Sequence, residues 1–427
     1  MTIAIQTKRL RGHVKVPPSK SMAHRAIICA SLAQGKSVIQ NIEYSKDIEA
    51  TIKAMKALGT IIIQHDDCLE IDGTTTFLKN HIEIDCCESG STLRFMIPIS
   101  IICEANVHFI GEGRLGKRPL DVYYRIFDEQ DISYLYHENV LDLYIQGQLH
   151  AGIFHVPGNV SSQFISGLLF ALPLLDGDSV IEVTSPLESR GYIDLTIQML
   201  NQFGIQIINH HYEKLIVLGG QRYQSCHYSV EADFSQAAFY LVAGALGNDV
   251  VLEGLNLDSQ QGDKVAIDIL ERMGCCLTHK ENGYQIYPGI LSATDIDGSQ
   301  CPDIIPIIAL ACALADGVSH IHNIARLRLK ECDRLTATVE VINQLGGIAK
   351  ESEDSMIIEG VKKLSGGTVS THNDHRMAMM EAIASSICDD VVVIDQKNCV
   401  QKSYPSFWEH FALLGGVIDE FNVGDKY

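Results

Sequence analysis

The sequence predicts an α/β protein of two similar lobes, each built from three repeats, with the active site in the interlobe cleft. Three observations carry that expectation. At 427 residues the chain is too long for one ordinary core, so two domains are the default. A pattern recurs along it: a helical run ends in an apolar residue and glycine, then come a strand, a polar loop and a second strand ending in glycine. It reads "KALGTIIIQHDDCLEIDG" and returns as "NQFGIQIINHHYEKLIVLGG", "ERMGCCLTHKENGYQIYPG" and "NQLGGIAKESEDSMIIEG", with a weaker copy, "DEQDISYLYHENVLDLYIQG". The helix ends fall at 59, 131, 204, 274, 346 and 415, spaced by 69 to 73 residues. The last copy, "LLGGVIDEF", runs out of chain, and the N-terminal strand "TIAIQT" is available to complete it. Three units then occupy residues 13–230 (lobe II), while 1–12 and 231–427 form lobe I, closed by the N-terminal strand. A unit of this length holds two strand–helix pairs plus a hairpin. One long α/β sheet is the competing arrangement.

The elements follow in order. The first helix of each unit comes after a short strand and a turn. Its six starts are "VPPSKSMAHRA", "IDCCESGSTLRFM", "VPGNVSSQFISGLL", "VEADFSQAAFYL", "GSQCPDIIPIIAL" and "STHNDHRMAMMEA". Ser89, Ser161, Asp233 and Asp303 fit there as caps for free helix N–H groups. Lys20, Arg25, Arg94, His375 and Arg376 do not, because a helix N-terminus already carries positive character. The second helix starts repeat the anomaly with Lys117 and Arg118, Arg190, then Arg326, Arg328, Lys330 and Arg334, and finally Lys402. Cations beside exposed N–H groups suit bound anions. If the starts converge, the site suits a small substrate with several negative charges, whereas each cation alone is most simply a solvated surface charge.

Composition narrows the class. With 46% hydrophobic and 20% charged residues the chain reads as soluble and globular, and its net charge of −20 argues against nucleic-acid or anionic-membrane partners. The apolar runs Phe95–Cys103 and Ile304–Ala315 are too short to span a bilayer, and both contain proline. No signal or transit peptide is read at "MTIAIQTKRLRG". Thirteen cysteines without a CxxC read as free thiols in a reducing cytoplasm. "GEGRLGK", residues 111–117, fits both GxGxxG and GxxxxGK, but Arg118 replaces the Ser or Thr of a P-loop and no N-terminal βαβ unit contains it. "SHIHN" places His320 and His322 on a strand without a third ligand, so no metal and no other cofactor is expected. No nucleophile motif is present.

Nine motifs in order, "PPSKSMAHRA", "ESGSTLR", "GEGRLGKRPL", "GNVSSQF", "ESRGYI", "CPDI", "LRLKECDRL", "NDHRMAM" and "QKSYPSF", resemble the 5-enolpyruvylshikimate-3-phosphate synthase family across essentially the whole chain. The resemblance implies two lobes of three βαβαββ repeats. It implies transfer of the enolpyruvyl group of phosphoenolpyruvate to the 5-hydroxyl of shikimate 3-phosphate, with release of phosphate. It assigns shikimate 3-phosphate to Lys20, Ser21, Arg25, Ser161, Ser162, Gln163, Ser189, Tyr192, Asp303 and Lys330. It assigns phosphoenolpyruvate to Lys20, Gly90, Arg118, Gln163, Arg334, His375, Arg376 and Lys402. The chemistry falls to Lys20, Asp303, Glu331 and His375, which can remove a proton from the hydroxyl and deliver one to the methylene carbon. A monomer acting in the cytoplasm is expected. His24 has no role in the family and reads as packing.

Two departures stand out. The family's usual Gly-Asn before the Ala/Ser-Gly-Thr turn is here Cys87-Glu88, a carboxylate beside an anion pocket. Arg326 stands where some members have Asn. Gly90 retains the small residue that leaves room for glyphosate, so inhibition by it is expected. The sister enzyme acting on UDP-N-acetylglucosamine shows Lys-Asn at the first helix and a loop cysteine, where this chain has Lys20-Ser21 and "GEGRLGKRP". A non-catalytic anion-binding relative would not need Lys20, Asp303, Glu331 and His375 together.

Overall fold

The computed structural model describes residues 2–77, 81–137 and 139–421. The chain divides into two units, residues 1–17 with 231–427 and residues 18–230. Among the described residues, strands form six separate four-stranded sheets rather than one long one. All six share one topology. In the second repeat His81–Asp85 runs parallel to Ala105–Gly111, which pairs antiparallel with Leu141–Gly147, which pairs in turn with Ser133–Tyr136 at the edge. The helices Gly90–Ser100 and Asp121–Glu129 make the two connections, giving βαβα and then a hairpin.

The N-terminal strand Thr2–Ile5 lies between Val392–Ile394 and Ile418–Phe421, antiparallel to both. It supplies the strand that the sixth repeat lacks, so the first residues complete the last sheet. The boundary expected after residue 12 moves, however, to residue 17. Strand Arg11–Lys15 pairs in parallel with Asp249–Glu253, and Val16 N–H donates to the Glu253 carbonyl at 3.1 Å. A strand belongs to the sheet that satisfies its backbone groups. Within the second unit, His227–Ser229 pairs in parallel with Lys36–Gln40. Each crossing therefore leaves its strand behind: Arg11–Lys15 stays in the first unit while the helix after it, Lys20–Leu32, belongs to the second.

The first helix of each repeat is apolar on every side, which requires burial from every side. In the first unit Phe234–Ala245, Ile305–Cys312 and His375–Ser385 are buried at every position. In the second unit the corresponding helices, Lys20–Leu32, Gly90–Ser100 and Ser162–Ala171, are buried except at Lys20, Ser21, Ser91 and Gln163. All four exceptions lie in a first turn. Each unit thus has one core around three central helices, and its sheets alternate in burial, as in His81–Asp85, where Ile82 and Ile84 are buried and the residues on either side are exposed. Polar residues at the helix starts are consequently gathered at the ends of the two cores. No helix among the described residues is long and apolar enough to cross a membrane.

Candidate active site

In the second unit the three helix starts are tied together by side chains. Lys20 is the first residue of its helix, behind Ser19, whose side chain does not cap it. Its Nζ lies 2.7 Å from Asp47 Oδ2, and both side chains are largely buried. One turn later the Arg25 guanidinium is 2% exposed. Its Nε donates to Thr196 Oγ1 at 2.8 Å, its Nη1 to the Ser21 carbonyl at 2.8 Å and its Nη2 to the Tyr192 carbonyl at 3.0 Å. The Phe95 and Tyr192 rings flank it at 5.3 and 5.9 Å. Burial pulls its pKa down to about 10, with Tyr192 opposing, so it remains a cation at neutral pH. Ser161 caps the third central helix by accepting from Gln163 N–H at 3.3 Å, and Ser162 is buried at its first position. Ser189 precedes helix Arg190–Gln202 in the left-handed region, at φ 55° and ψ 46°, a conformation that a non-glycine residue holds only when its surroundings impose it.

Gly90 opens the second central helix, and its missing side chain is what brings two arginines together. A Cβ there would stand 2.6 Å from Arg118 Nη1 and 3.2 Å from Arg94 Nη1. Arg94, flagged by the sequence as a misplaced cation but given no role, proves to be part of this end of the core. Its Nη1 donates to Gln163 Oε1 at 2.9 Å and its Nη2 to the Pro119 carbonyl at 3.2 Å, over the Phe164 ring. Gln163 Nε2 donates in turn to Ser91 Oγ at 2.9 Å. The glycines of "GEGRLGK" serve packing. A Cβ on Gly116 would fall 2.4 Å from the backbone of Val140 and Leu141, and one on Gly113 would meet the Glu88 carboxylate. The motif leads into a single turn, Leu115–Lys117, and the helix begins only at Asp121. Cys87, at φ 49°, keeps the left-handed backbone that the family's glycine would adopt without strain.

In the first unit the buried charges centre on Asp303. Sequence offered it as a cap, but the helix Ile305–Cys312 has no side-chain cap. The Asp303 carboxylate is instead surrounded by cations: Lys330 Nζ at 3.1 Å and Arg334 Nη1 at 3.0 Å on Oδ1, with Arg376 Nη2 at 3.4 Å from Oδ2. Burial works to raise its pKa, but Lys330, Arg376 and Arg334 outweigh burial and hold it well below the usual carboxylate range. Arg334, 1% exposed, bridges three carboxylates. Beyond Asp303 its Nε donates to Asp374 Oδ2 at 2.7 Å, and its Nη2 to Glu331 Oε2 at 2.6 Å and Asp374 Oδ1 at 3.3 Å. Burial would lower the Arg334 pKa, but these three carboxylates raise it well above the ordinary value. Burial pulls the Lys330 pKa down, with Asp303 resisting. Asp374 caps helix His375–Ser385 through Arg376 N–H at 2.8 Å. His375 is buried with Nδ1 3.6 Å from Asp374 Oδ1. Lys402 is buried at the end of the short turn Lys397–Lys402, which packs on that helix.

The structure thus gathers Lys20, Arg25, Gly90, Arg118 and Gln163 within one unit and Asp303, Lys330, Glu331, Arg334, His375 and Arg376 within the other. Other helix-start cations are taken up by their own surroundings. Arg190 lies over the Tyr212 ring, Arg326 donates to the Ser299 carbonyl at 2.9 Å, and Arg328 pairs with Asp333 and Glu351. His24 is packing: it is fully buried, with Nδ1 2.7 Å from Thr51 Oγ1. His320 and His322 both face Asp295, and among the described residues no group of three side chains is arranged to hold a metal. Sequence reasoning missed Asp47 and Asp374, since an acid at a helix start reads as a cap or a dipole partner.

A sequence model of EPSP synthase (3-phosphoshikimate 1-carboxyvinyltransferase) matches residues 5–411. A 3-phosphoshikimate 1-carboxyvinyltransferase of Clostridium beijerinckii is 52% identical over 432 residues, covering 99% of each chain. That of Clostridium perfringens is 54% identical over 418 residues, covering 97% of this chain and 99% of its own. Among solved structures, EPSP synthase from Acinetobacter baumannii is similar with a TM-score of 0.80 at 25% identity, over 98% of this chain and 100% of that one. The enolpyruvyl transferase NikO from Streptomyces tendae, at 15% identity and a TM-score of 0.77, shares the fold alone.

Proposed function

The chain belongs to the EPSP synthase family, and from that premise we propose that it transfers the enolpyruvyl group of phosphoenolpyruvate to the 5-hydroxyl of shikimate 3-phosphate. The products are 5-enolpyruvylshikimate 3-phosphate and inorganic phosphate. Full-length relatives bearing the name 3-phosphoshikimate 1-carboxyvinyltransferase support the reaction class. The single observation that best supports the roles is the ionised Asp303 inside a ring of Lys330, Arg334 and Arg376.

The proposed chemistry is an addition followed by an elimination. Lys20, Ser21, Arg25, Ser161, Ser162, Gln163, Ser189, Tyr192 and Lys330 hold shikimate 3-phosphate. Lys20, Gly90, Arg118, Gln163, Arg334, His375, Arg376 and Lys402 surround phosphoenolpyruvate. Before substrate arrives, Asp303 is a poor base because three cations stabilise its charge. The substrates' own phosphates and carboxylate compete for those cations. As they take them, the basicity of Asp303 rises and it can accept the 5-hydroxyl proton. The freed oxygen attacks C2 of phosphoenolpyruvate while C3 takes a proton from Glu331 or Lys20. The tetrahedral adduct then returns a C3 proton to the group that supplied it as the C2–O bond to phosphate breaks, and the departing phosphate takes up the proton held by Asp303. Charge at the departing phosphate is met by fixed arginines and lysines, which need no reorganisation. We take the enzyme to act as a cytoplasmic monomer without a metal or organic cofactor.

The test is phosphate release. Turnover of phosphoenolpyruvate with shikimate 3-phosphate, and none with UDP-N-acetylglucosamine, is the expected outcome. The reverse preference sinks the assignment.

A further inference from the structure

Behind Asp303 lies a second buried carboxylate that the reaction described above does not use. Asp263 sits in the single turn Gly262–Lys264 and is 4% exposed. That turn is fixed to the start of helix Phe234–Ala245 on two sides. Gln261 Oε1 accepts from Phe234 N–H at 3.1 Å, and Gln261 Nε2 donates to the Ala232 carbonyl at 2.7 Å. Ser235 Oγ donates to Asp263 Oδ2 at 2.6 Å, and the Ser235 carbonyl accepts from Arg376 Nη1 at 3.1 Å. The other arm of the same guanidinium, Nη2, reaches Asp303 Oδ2 at 3.4 Å. Asp303 and Asp263 therefore stand on opposite arms of Arg376, one directly and one through Ser235.

We propose that Asp263 is a positioning residue for this reaction: through Ser235 it braces Arg376, and its charge sustains the basicity of Asp303. The inference rests on the roles given above to Asp303 and Arg376. Its physical content is like-charge repulsion. Three cations on Asp303 would make it too weak a base, and a fixed anion behind Arg376 offsets part of their pull. The charged or titratable groups facing Asp263 are Asp303 and Cys301 ahead of one central helix, Asp233 at the start of the second and Arg376 on the third. Burial, then repulsion from Asp303, lift Asp263 to about 6, against the pull of Ser235 and Arg376. The anion is thus present at neutral pH and lost just below it, and Asp303 weakens as a base when it goes.

Asp263→Asn keeps the hydrogen-bond acceptor and deletes the charge. The expected result is kcat about tenfold lower than wild type at pH 8, the gap closing toward pH 5, with both KM values within about threefold. Equal kcat at every pH, or one constant deficit at every pH, overturns the proposal, because a merely structural role gives no pH-dependent gap. Ser235→Ala leaves the carboxylate and removes its hydrogen bond, so the acid limb of kcat moves to higher pH; an unmoved limb counts against the proposal. Carboxyl-carbon NMR of aspartate-labelled wild type, with the Asp263 signal assigned by its loss in the asparagine variant, must show a midpoint near 6. A midpoint below about 4, the ordinary aspartate value, overturns the proposal without reference to turnover. If wild type releases no phosphate from these substrates the functional reading fails, and the titration alone decides the charge state of Asp263.

Discussion

Gly90→Ala isolates one contact of the proposed phosphoenolpyruvate pocket. Gly90 begins a helix with helical backbone angles, so alanine fits the chain and raises its local propensity. The added methyl would sit 2.6 Å from Arg118 Nη1, 3.0 Å from Arg118 Cζ and 3.2 Å from Arg94 Nη1. Comfortable carbon contacts lie at about 3.5–4.0 Å, so the Arg118 head has to retreat by roughly 1 Å. It is the tip of a flexible side chain, and the retreat leaves the core intact. On the proposed assignment, the cost falls on phosphoenolpyruvate, the anion given to Arg118. One charge-assisted hydrogen bond contributes about 1.5–3 kcal/mol, which corresponds to a rise of about ten- to a hundredfold in the KM for phosphoenolpyruvate. The KM for shikimate 3-phosphate should stay within about twofold. Glyphosate, expected to compete with phosphoenolpyruvate in wild type, should lose at least as much affinity. The assay is initial-rate phosphate release across phosphoenolpyruvate concentrations at saturating shikimate 3-phosphate, with and without inhibitor. A thermal melt confirms folding. A stable variant with unchanged KM for phosphoenolpyruvate and unchanged inhibition refutes the placement of Arg118.

Three further outcomes are expected. Lys20→Met removes the charge at similar size and should lower kcat/KM at least about a hundredfold, as losing a preorganised cation does; near-normal turnover contradicts the proposed chemistry. Glu381 is fully buried with neither oxygen hydrogen-bonded among the described residues, and burial, then Asp395 and Asp374, raise its pKa well above the carboxylate value. A raised folded pKa means stability falls as pH rises from the unfolded value near 4.3 toward the folded one, so Glu381→Gln should gain on wild type by about 1.4 kcal/mol per pH unit across that window. Parallel urea midpoints from pH 5 to 8 count against this. Cys87 holds φ 49°, so Cys87→Gly should leave the urea midpoint unchanged or slightly raised, while Cys87→Val should cost about 1–2 kcal/mol; equal effects of the two contradict the strain.

The repeat was legible because its punctuation is local. A glycine after each helix and a hairpin behind it can be read without knowing what packs where, and even the role of Thr2–Ile5 followed from a missing strand. That Arg11–Lys15 stays with the first unit was not legible. Parallel pairing is non-local, and this short strand carries no pattern that selects its sheet. The site divides along the same line. Lys20, Arg25, Arg334 and Arg376 could be singled out as candidates because a cation at a helix start contradicts the helix dipole. Asp47, Asp263 and Asp374 could not, because an acid in those places agrees with it. Arg328 shows the converse error, a cation at a helix start that is taken up by Asp333 and Glu351 and by the Ser352 and Glu353 carbonyls.

On the proposed roles, the Arg334 cluster is something a ligand exchanges. A buried guanidinium among Asp303, Glu331 and Asp374 gains little net stability, since desolvation offsets most of the Coulomb attraction. Apolar side chains would fill such a place at least as well. What the cluster provides is a set of cations held in position with their charges temporarily met by protein carboxylates. Only Asp374 among those carboxylates is fully buried and also caps a helix; it keeps Arg334 fixed whether or not substrate is present. Asp303 and Glu331 are the exchangeable partners, partly exposed and able to give up their cations to an incoming anion. These two are also the residues to which proton transfer is assigned. A carboxylate released from its cation becomes a better base, so on the proposed mechanism the arrival of the substrate's charge is itself the event that prepares the site for proton transfer.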